Sequence, residues 1–318
     1  MRPKKSDFGS NKGIGTMKKL RMMTICLTVV FTGALFSSPQ KAEARDLKVI
    51  YGEDSRLDLK DTVNPLHYEL AQSTAAMIPN GSLNYDGDMV EINGSLLRSR
   101  GICEGERFDD QITAANCSGF LVAPDLLVTA GHCVRTQRDC DNSSWVFGFG
   151  IDVDTNYNPG DTTFDVPASN VYRCAEVVES ELSRINQADH ALLRLERVVD
   201  DREPLQFRTE GKVEDRTNLV VIGHPTGLPT KVAAGAWVRQ NSNRVFFQAN
   251  LDTFGGNSGS AVFDMETGLV EGILVRGEQD YVFDSERGCR VPKVCTEEGC
   301  RGEDVTRITN IEALMSQR

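Results

Sequence analysis

Short apolar runs separated by turn residues fill the chain from residue 117 onward, and they limit its fold more than any other feature. The runs lie at residues 120–122, 126–130, 191–195, 219–222, 237–238, 245–247, 260–263 and 269–274. Each has the length of a strand, and no regular helices alternate with them. The sequence therefore predicts an all-β fold, either a sandwich or barrels.

The C-terminal residues carry the clearest helical spacing. Ile308, Ile311 and Leu314 recur every three residues, and Asn310 is a suitable N-cap. We therefore predict a short C-terminal helix over residues 308–317. No Pro/Ser-rich linker divides the chain, and a charged stretch at 200–204 is the best place for an internal boundary.

The N-terminal residues resemble an export signal. Lys18, Lys19 and Arg21 precede an uncharged apolar run at 22–36, and small residues follow at Ala42 and Ala44. The apolar run is shorter than the ~20 residues needed to span a bilayer. We therefore predict a bacterial signal peptide region at 1–44 and a short propeptide at 45–48. The protein should be secreted or periplasmic, with no stable membrane association.

The charge balance excludes one class of partner. The whole chain has a net charge of −11, and without residues 1–44, which hold eight Lys/Arg and two Asp/Glu, the net charge becomes −17. A surface this negative repels polyanions. We expect no nucleic-acid partner.

The cysteines indicate disulfides rather than a metal site. One of nine cysteines lies in the signal region, and the other eight are Cys103, Cys117, Cys133, Cys140, Cys174, Cys289, Cys295 and Cys300. An even number in an exported chain is typical of a disulfide framework. Zinc is disfavoured because no Cys-x-x-Cys pair occurs and the chain has only four histidines.

A serine flanked by glycines marks the first candidate for chemistry. The stretch GGNSGS at 255–260 can form a tight turn that exposes the Ser258 hydroxyl. The N–H groups of Gly256 and Ser258 could then converge on a carbonyl oxygen as an oxyanion hole. A plain Gly/Ser loop is the alternative when this stretch is read alone.

A histidine and an aspartate complete a catalytic set. His132 directly follows an apolar strand, and Asp189 precedes another. Either residue alone could be structural, as a core histidine or a turn cap. Their order of His132, Asp189 and Ser258, with separations of 57 and 69 residues, matches the chymotrypsin order of base, acid and nucleophile.

These three segments resemble the signatures of a known family. TAGHC at 129–133, ADHALLRL at 188–195 and GGNSGS at 255–260 are similar to those of the trypsin/chymotrypsin superfamily. The resemblance implies a protease domain at 49–318 with two packed six-stranded β-barrels, in which His132 and Asp189 come from the first and Ser258 from the second. It further implies a monomeric serine endopeptidase acting on proteins or peptides without cofactor or metal, and a Cys117–Cys133 disulfide.

Within the superfamily, the chain most resembles bacterial glutamyl-endopeptidase-like enzymes. The similarity covers residues 49–56 and 252–260, and it implies that processing frees Val49 as a new N-terminus. It also places Asp252, Thr253 and Arg276 at the substrate pocket. Asp252 would favour basic side chains and Arg276 acidic ones, so a glutamyl or a basic preference both stay open.

Two other functions compete with an active protease. A protease-like binding protein usually has a substituted catalytic residue, whereas all three are present here. An esterase of the α/β-hydrolase type places its serine before its histidine. We expect His67 and His190 to be surface or turn residues, and His224 to be structural.

Overall fold

The computed structural model describes residues 50–316, in which strands are the main regular secondary structure. Three short α-helices are present: α1 (Pro65–Ala71), α2 (Gln137–Asn142) and α3 (Glu312–Met315). The strands are β1 (Ile50–Tyr51), β2 (Arg56–Asp58), β3 (Thr74–Pro79), β4 (Leu83–Asp86), β5 (Met89–Asn93), β6 (Ser95–Leu96), β7 (Ile112–Thr113), β8 (Cys117–Ala123), β9 (Leu126–Thr129), β10 (Ser143–Phe147), β11 (Thr163–Pro167), β12 (Val171–Leu182), β13 (Asp189–Leu195), β14 (Asn218–Gly223), β15 (Lys231–Gln240), β16 (Phe246–Ala249), β17 (Ala261–Asp264), β18 (Val270–Arg276), β19 (Tyr281–Asp284), β20 (Cys289–Pro292), β21 (Val294–Cys295) and β22 (Glu303–Arg307).

Two six-stranded barrels form the body of the fold, as the family resemblance implied. The first closes in the order β10, β12, β13, β9, β8 and β3. In the second, β14, β17, β18, β22, β16 and β15 form a row that the pairing of β14 with β15 closes, and β2 adds to β15. All pairings within both barrels are antiparallel.

The packing of the barrels explains why several strands are apolar on both faces. In the first barrel, Leu121 and Leu127 point into the interior with Trp145. Their neighbours Phe120 and Val128 face outward and join a core cluster shared with the second barrel, listed here by its members from β14, β17 and β18: Val220, Ile222, Ala261, Phe263, Val270, Ile273 and Val275. Alternate residues of these strands are thus buried on opposite sides, which produces continuous apolar runs rather than alternation.

Four disulfides pair all eight cysteines of the described residues. The expected Cys117–Cys133 bond is present, and it closes a loop of 16 residues beside His132. In the chain-entropy model a loop of that size contributes about 3 kcal/mol to stability. The pairings left open by the sequence are Cys103–Cys289, Cys140–Cys174 and Cys295–Cys300.

The sequence made predictions for both ends of the chain, and the structure describes only the C-terminal ones. A short C-terminal helix is present, but a 3₁₀ turn occupies Ile308–Asn310 and α3 begins only at Glu312. The predicted N-cap was wrong, because the Asn310 side chain donates to the Val245 carbonyl instead. The predicted signal region, propeptide and free Val49 lie outside the described residues. Within residues 50–316, no helix has the length and apolarity to cross a membrane.

Candidate active site

A histidine and a buried carboxylate meet where two strands of the first barrel end. His132 follows β9, and Asp189 is the first residue of β13 and only 3% exposed. One Asp189 carboxylate oxygen lies 2.9 Å from His132 Nδ1, and the other accepts the His132 backbone N–H at 3.0 Å. This double contact favours the tautomer with its proton on Nδ1, which leaves Nε2 as a proton acceptor.

Gly131 lets the histidine approach this carboxylate. A Cβ at this position would overlap the Glu181 carbonyl and lie 2.8 Å from the His190 carbonyl oxygen. Any larger residue would push the end of β9 away from the β12–β13 pair. The position of His132 therefore depends on glycine at the preceding residue.

The Ser258 loop packs directly against the strand ends of the first barrel. The Ser258 carbonyl accepts the Ser118 N–H at 2.8 Å, and the Cys133 sulfur lies 3.7 Å from the same oxygen. Gly259 has φ +90°, and a Cβ there would overlap the Ser118 carbonyl. The loop thus brings Ser258 beside the disulfide that follows His132. The described residues include no hydrogen bond between the Ser258 hydroxyl and the His132 ring, and such bonds often tighten only with substrate bound.

The backbone around Ser258 offers two unused donors. The N–H groups of Gly256 and Ser258 donate to no other group among residues 50–316. Gly256 has φ +95°, and its carbonyl accepts the Ser118 hydroxyl at 2.9 Å. The Ser118 hydroxyl in turn accepts the His224 N–H at 2.9 Å. These bonds fix the peptide unit between Gly256 and Asn257, and the Gly255 carbonyl accepts the Thr226 N–H, which fixes the unit that carries the Gly256 N–H. The two donors could serve as an oxyanion hole.

A narrow pocket opens beside Ser258 and is walled by the two expected residues Thr253 and Arg276 together with several acidic groups. Its other lining residues are Phe254, Gly255, Leu274, Val275, Gly277, Glu278, Asp280 and Glu303. The Glu303 carboxylate accepts the Thr253 hydroxyl at 2.8 Å and the Glu278 N–H at 3.1 Å. Burial raises the pKa of Glu303 to about 7.

Comparison with known proteins identifies a domain family. A family model described as a trypsin-like peptidase domain matches residues 117–273, which hold His132, Asp189 and Ser258. The chain carries a trypsin-like peptidase domain. No curated protein matches the sequence significantly.

Three solved structures are similar to this trypsin-like chain. They are a Glu endopeptidase in complex with MPD (17% identity, 84% of this chain and 97% of that chain, TM-score 0.49), human heparin binding protein (13%, 85% and 96%, 0.49) and the VesB protease of Vibrio cholerae (13%, 82% and 67%, 0.48). At these values none of them assigns a substrate or an activity to the chain.

Asp252 is the expected pocket residue that the structure places elsewhere. Its carboxylate accepts the Tyr51 N–H at 2.7 Å, and its second oxygen accepts the Ser55 N–H at 2.8 Å and the Ser55 hydroxyl at 2.6 Å. It is buried and does not line the pocket beside Ser258. Asp252 therefore anchors the first described residues to the second barrel and lies outside the pocket beside Ser258.

Two histidines differ from their expected setting. His67 and His190 are buried rather than exposed, and His190 Nε2 lies 2.8 Å from a Glu179 carboxylate oxygen. His224 is fully buried, with its Nδ1 3.0 Å from the Leu228 carbonyl, in keeping with a structural role. Burial lowers the pKa of His224 to about 3, so its ring stays neutral.

One group of potential metal ligands occurs among residues 50–316. It consists of Cys117, His132 and Cys133. The two cysteines are joined in a disulfide and so have no thiolate to offer an ion. This group does not fit a metal centre.

The sequence alone missed Ser118 and Glu303. Ser118 lies in an ordinary apolar strand, and its adjacency to Cys117 gave no hint that its hydroxyl would orient Gly256. Glu303 follows a charged, turn-rich segment at 296–302, which is typical of an exposed loop. Its burial depends on the pairing of β22 with β16 and β18, which no local pattern indicates.

Proposed function

We propose that this chain is an exported serine endopeptidase that cleaves proteins or peptides through an acyl-enzyme at Ser258. The observation that carries the proposal is the double contact of Asp189 with the His132 ring and backbone, next to the Ser258 loop. Four disulfides support export, because such bonds persist in oxidising compartments.

The first half of the reaction forms the acyl-enzyme. The Ser258 oxygen attacks the peptide carbonyl carbon while its proton passes to His132 Nε2. The carbonyl oxygen becomes an oxyanion that accepts the N–H groups of Gly256 and Ser258. The C–N bond then breaks, and His132 gives its proton to the leaving amine nitrogen.

The second half releases the product and restores the enzyme. Water attacks the ester carbon and passes one proton to His132 Nε2. The bond between the carbon and the Ser258 oxygen breaks, and His132 returns the proton to that oxygen. The free carboxylic acid leaves, and Asp189 keeps the imidazole oriented through both halves.

Labelling with a fluorescent fluorophosphonate tests the proposal together with casein hydrolysis. The wild-type chain should label and cleave casein, whereas Ser258→Ala should do neither. Ser242→Ala is the matched control, because Ser242 is exposed and lies outside the site, and it should behave like the wild type. A correctly folded wild-type protein that neither labels nor cleaves would contradict the proposal.

A further inference from the structure

We propose that Glu303 selects substrates by binding a lysine or arginine side chain in the pocket beside Ser258. This inference rests on the proposed endopeptidase function and names the specificity residue of the same site. Glu303 and Ser258 line one pocket, so a side chain next to the attacked carbonyl can reach the carboxylate. Asp252 was the acid expected at the substrate pocket from its place in the sequence.

Glu303 is a buried carboxylate without a counter-ion. The residue is 4% exposed, and its two carboxylate oxygens accept only a hydroxyl and a backbone N–H, from Thr253 and Glu278. No lysine or arginine of residues 50–316 forms an ion pair with it. An ionised carboxylate held this way gains strongly from a cation that enters with the substrate.

The rest of the pocket wall also favours a cation. Asp280 lines it, and one of its oxygens accepts the Gly255 N–H at 2.7 Å. Glu278 lines it as well, although Lys293 lies 3.0 Å from its carboxylate and offsets that charge. Gly277 leaves room for the Glu303 carboxylate, because any Cβ at that position would overlap it.

The one basic residue that lines the pocket is already engaged. Arg276 Nε lies 2.8 Å from the Asp304 carboxylate, and its Nη2 donates to the Gln187 carbonyl at 2.7 Å. Its Nη1 lies 3.8 Å from Asp189. An acidic substrate side chain would have to compete with these carboxylates for Arg276. The arrangement therefore favours basic over glutamyl substrates.

The test uses four fluorogenic peptides that differ only in the residue before the cleaved bond: arginine, lysine, glutamate or leucine. At pH 8 the wild-type enzyme should cleave the arginine and lysine peptides with the highest kcat/KM. Glu303→Gln removes the charge while keeping the shape, and it should lower kcat/KM for both basic peptides roughly 10- to 100-fold. Cleavage of the leucine peptide and fluorophosphonate labelling should persist in this variant.

Asp252→Asn is the matched control, because it neutralises the acid that the sequence analysis expected at the substrate pocket. Its preference for basic over leucine peptides should equal that of the wild type. The inference is overturned if Glu303→Gln keeps the wild-type preference, if Asp252→Asn loses it, or if the labelled wild type favours the glutamate peptide. A wild-type protein that cleaves no peptide and does not react with the fluorophosphonate would overturn the proposed function as well. Labelling therefore distinguishes a wrong specificity residue from a wrong proposed function.

Discussion

The proposed selectivity for basic side chains should depend on pH because Glu303 changes charge near neutrality. Burial raises the pKa of this carboxyl from 4.5 to about 7, and the negative charge of Asp280 acts in the same direction. The donors from Glu278 and Thr253 and the charge of Arg301 oppose the rise without cancelling it. Because burial favours the protonated acid over the carboxylate, Glu303 is mostly neutral below about pH 7 and mostly anionic above it.

The size of the effect follows from this pKa. With a pKa of about 7, Glu303 is roughly nine-tenths ionised at pH 8 and roughly one-tenth ionised at pH 6. Because only the ionised form attracts a lysine side chain, the preference for lysine over leucine should fall roughly tenfold between these pH values. A glutamate with its ordinary pKa would be almost fully ionised at both and would give almost no change.

The assay measures kcat/KM for the lysine and leucine peptides from pH 5.5 to 8.5 and reports their ratio. The ratio removes any pH dependence that both substrates share, including that of the catalytic groups. The wild-type ratio should fall roughly tenfold from pH 8 to pH 6, and the ratio of Glu303→Gln should stay flat. A flat wild-type ratio, or an equal fall in Glu303→Gln, would refute the reasoning.

Two further changes test the site and the fold. Asp189→Asn should lower kcat by roughly four orders of magnitude, because an amide donor facing His132 Nδ1 favours the wrong tautomer, and steady-state kinetics with unchanged circular dichroism would check this. Lys231→Met should lower the free energy of unfolding in urea by roughly 3–5 kcal/mol, because it leaves the buried Asp58 carboxylate without the ammonium 2.6 Å away. Adding Asp58→Asn should restore most of that loss, and a wild-type stability for Lys231→Met alone would contradict this account of the ion pair.

The strands and the three catalytic candidates were predictable because their signals are local. Runs such as 126–130 are apolar on both faces, and the structure shows why, since one face fills the first barrel and the other packs on the second. The segments around His132 and Ser258 have specific neighbours in sequence, including glycines whose Cβ would collide with nearby backbone. Local pattern was therefore sufficient to predict the strands and to single out the three candidates.

The pocket beside Ser258 was not predictable in the same way, because its wall comes from distant segments. Glu303 reaches the pocket through β22, which pairs with β16 and β18 on either side. Asp252 has the sequence position of a pocket acid. Its carboxylate instead accepts the N–H groups of Tyr51 and Ser55, which lie about 200 residues earlier in the sequence. Which carboxylate lines the pocket beside Ser258 depends on these long-range contacts.

Mass spectrometry of the fluorophosphonate-treated protein tests the central claim most directly. After proteolytic digestion, the account predicts a single phosphonylated residue, Ser258, with the modification lost when the protein is unfolded before treatment. Modification of another serine in place of Ser258, or an unmodified Ser258 in a folded protein that cleaves peptides, would contradict the account.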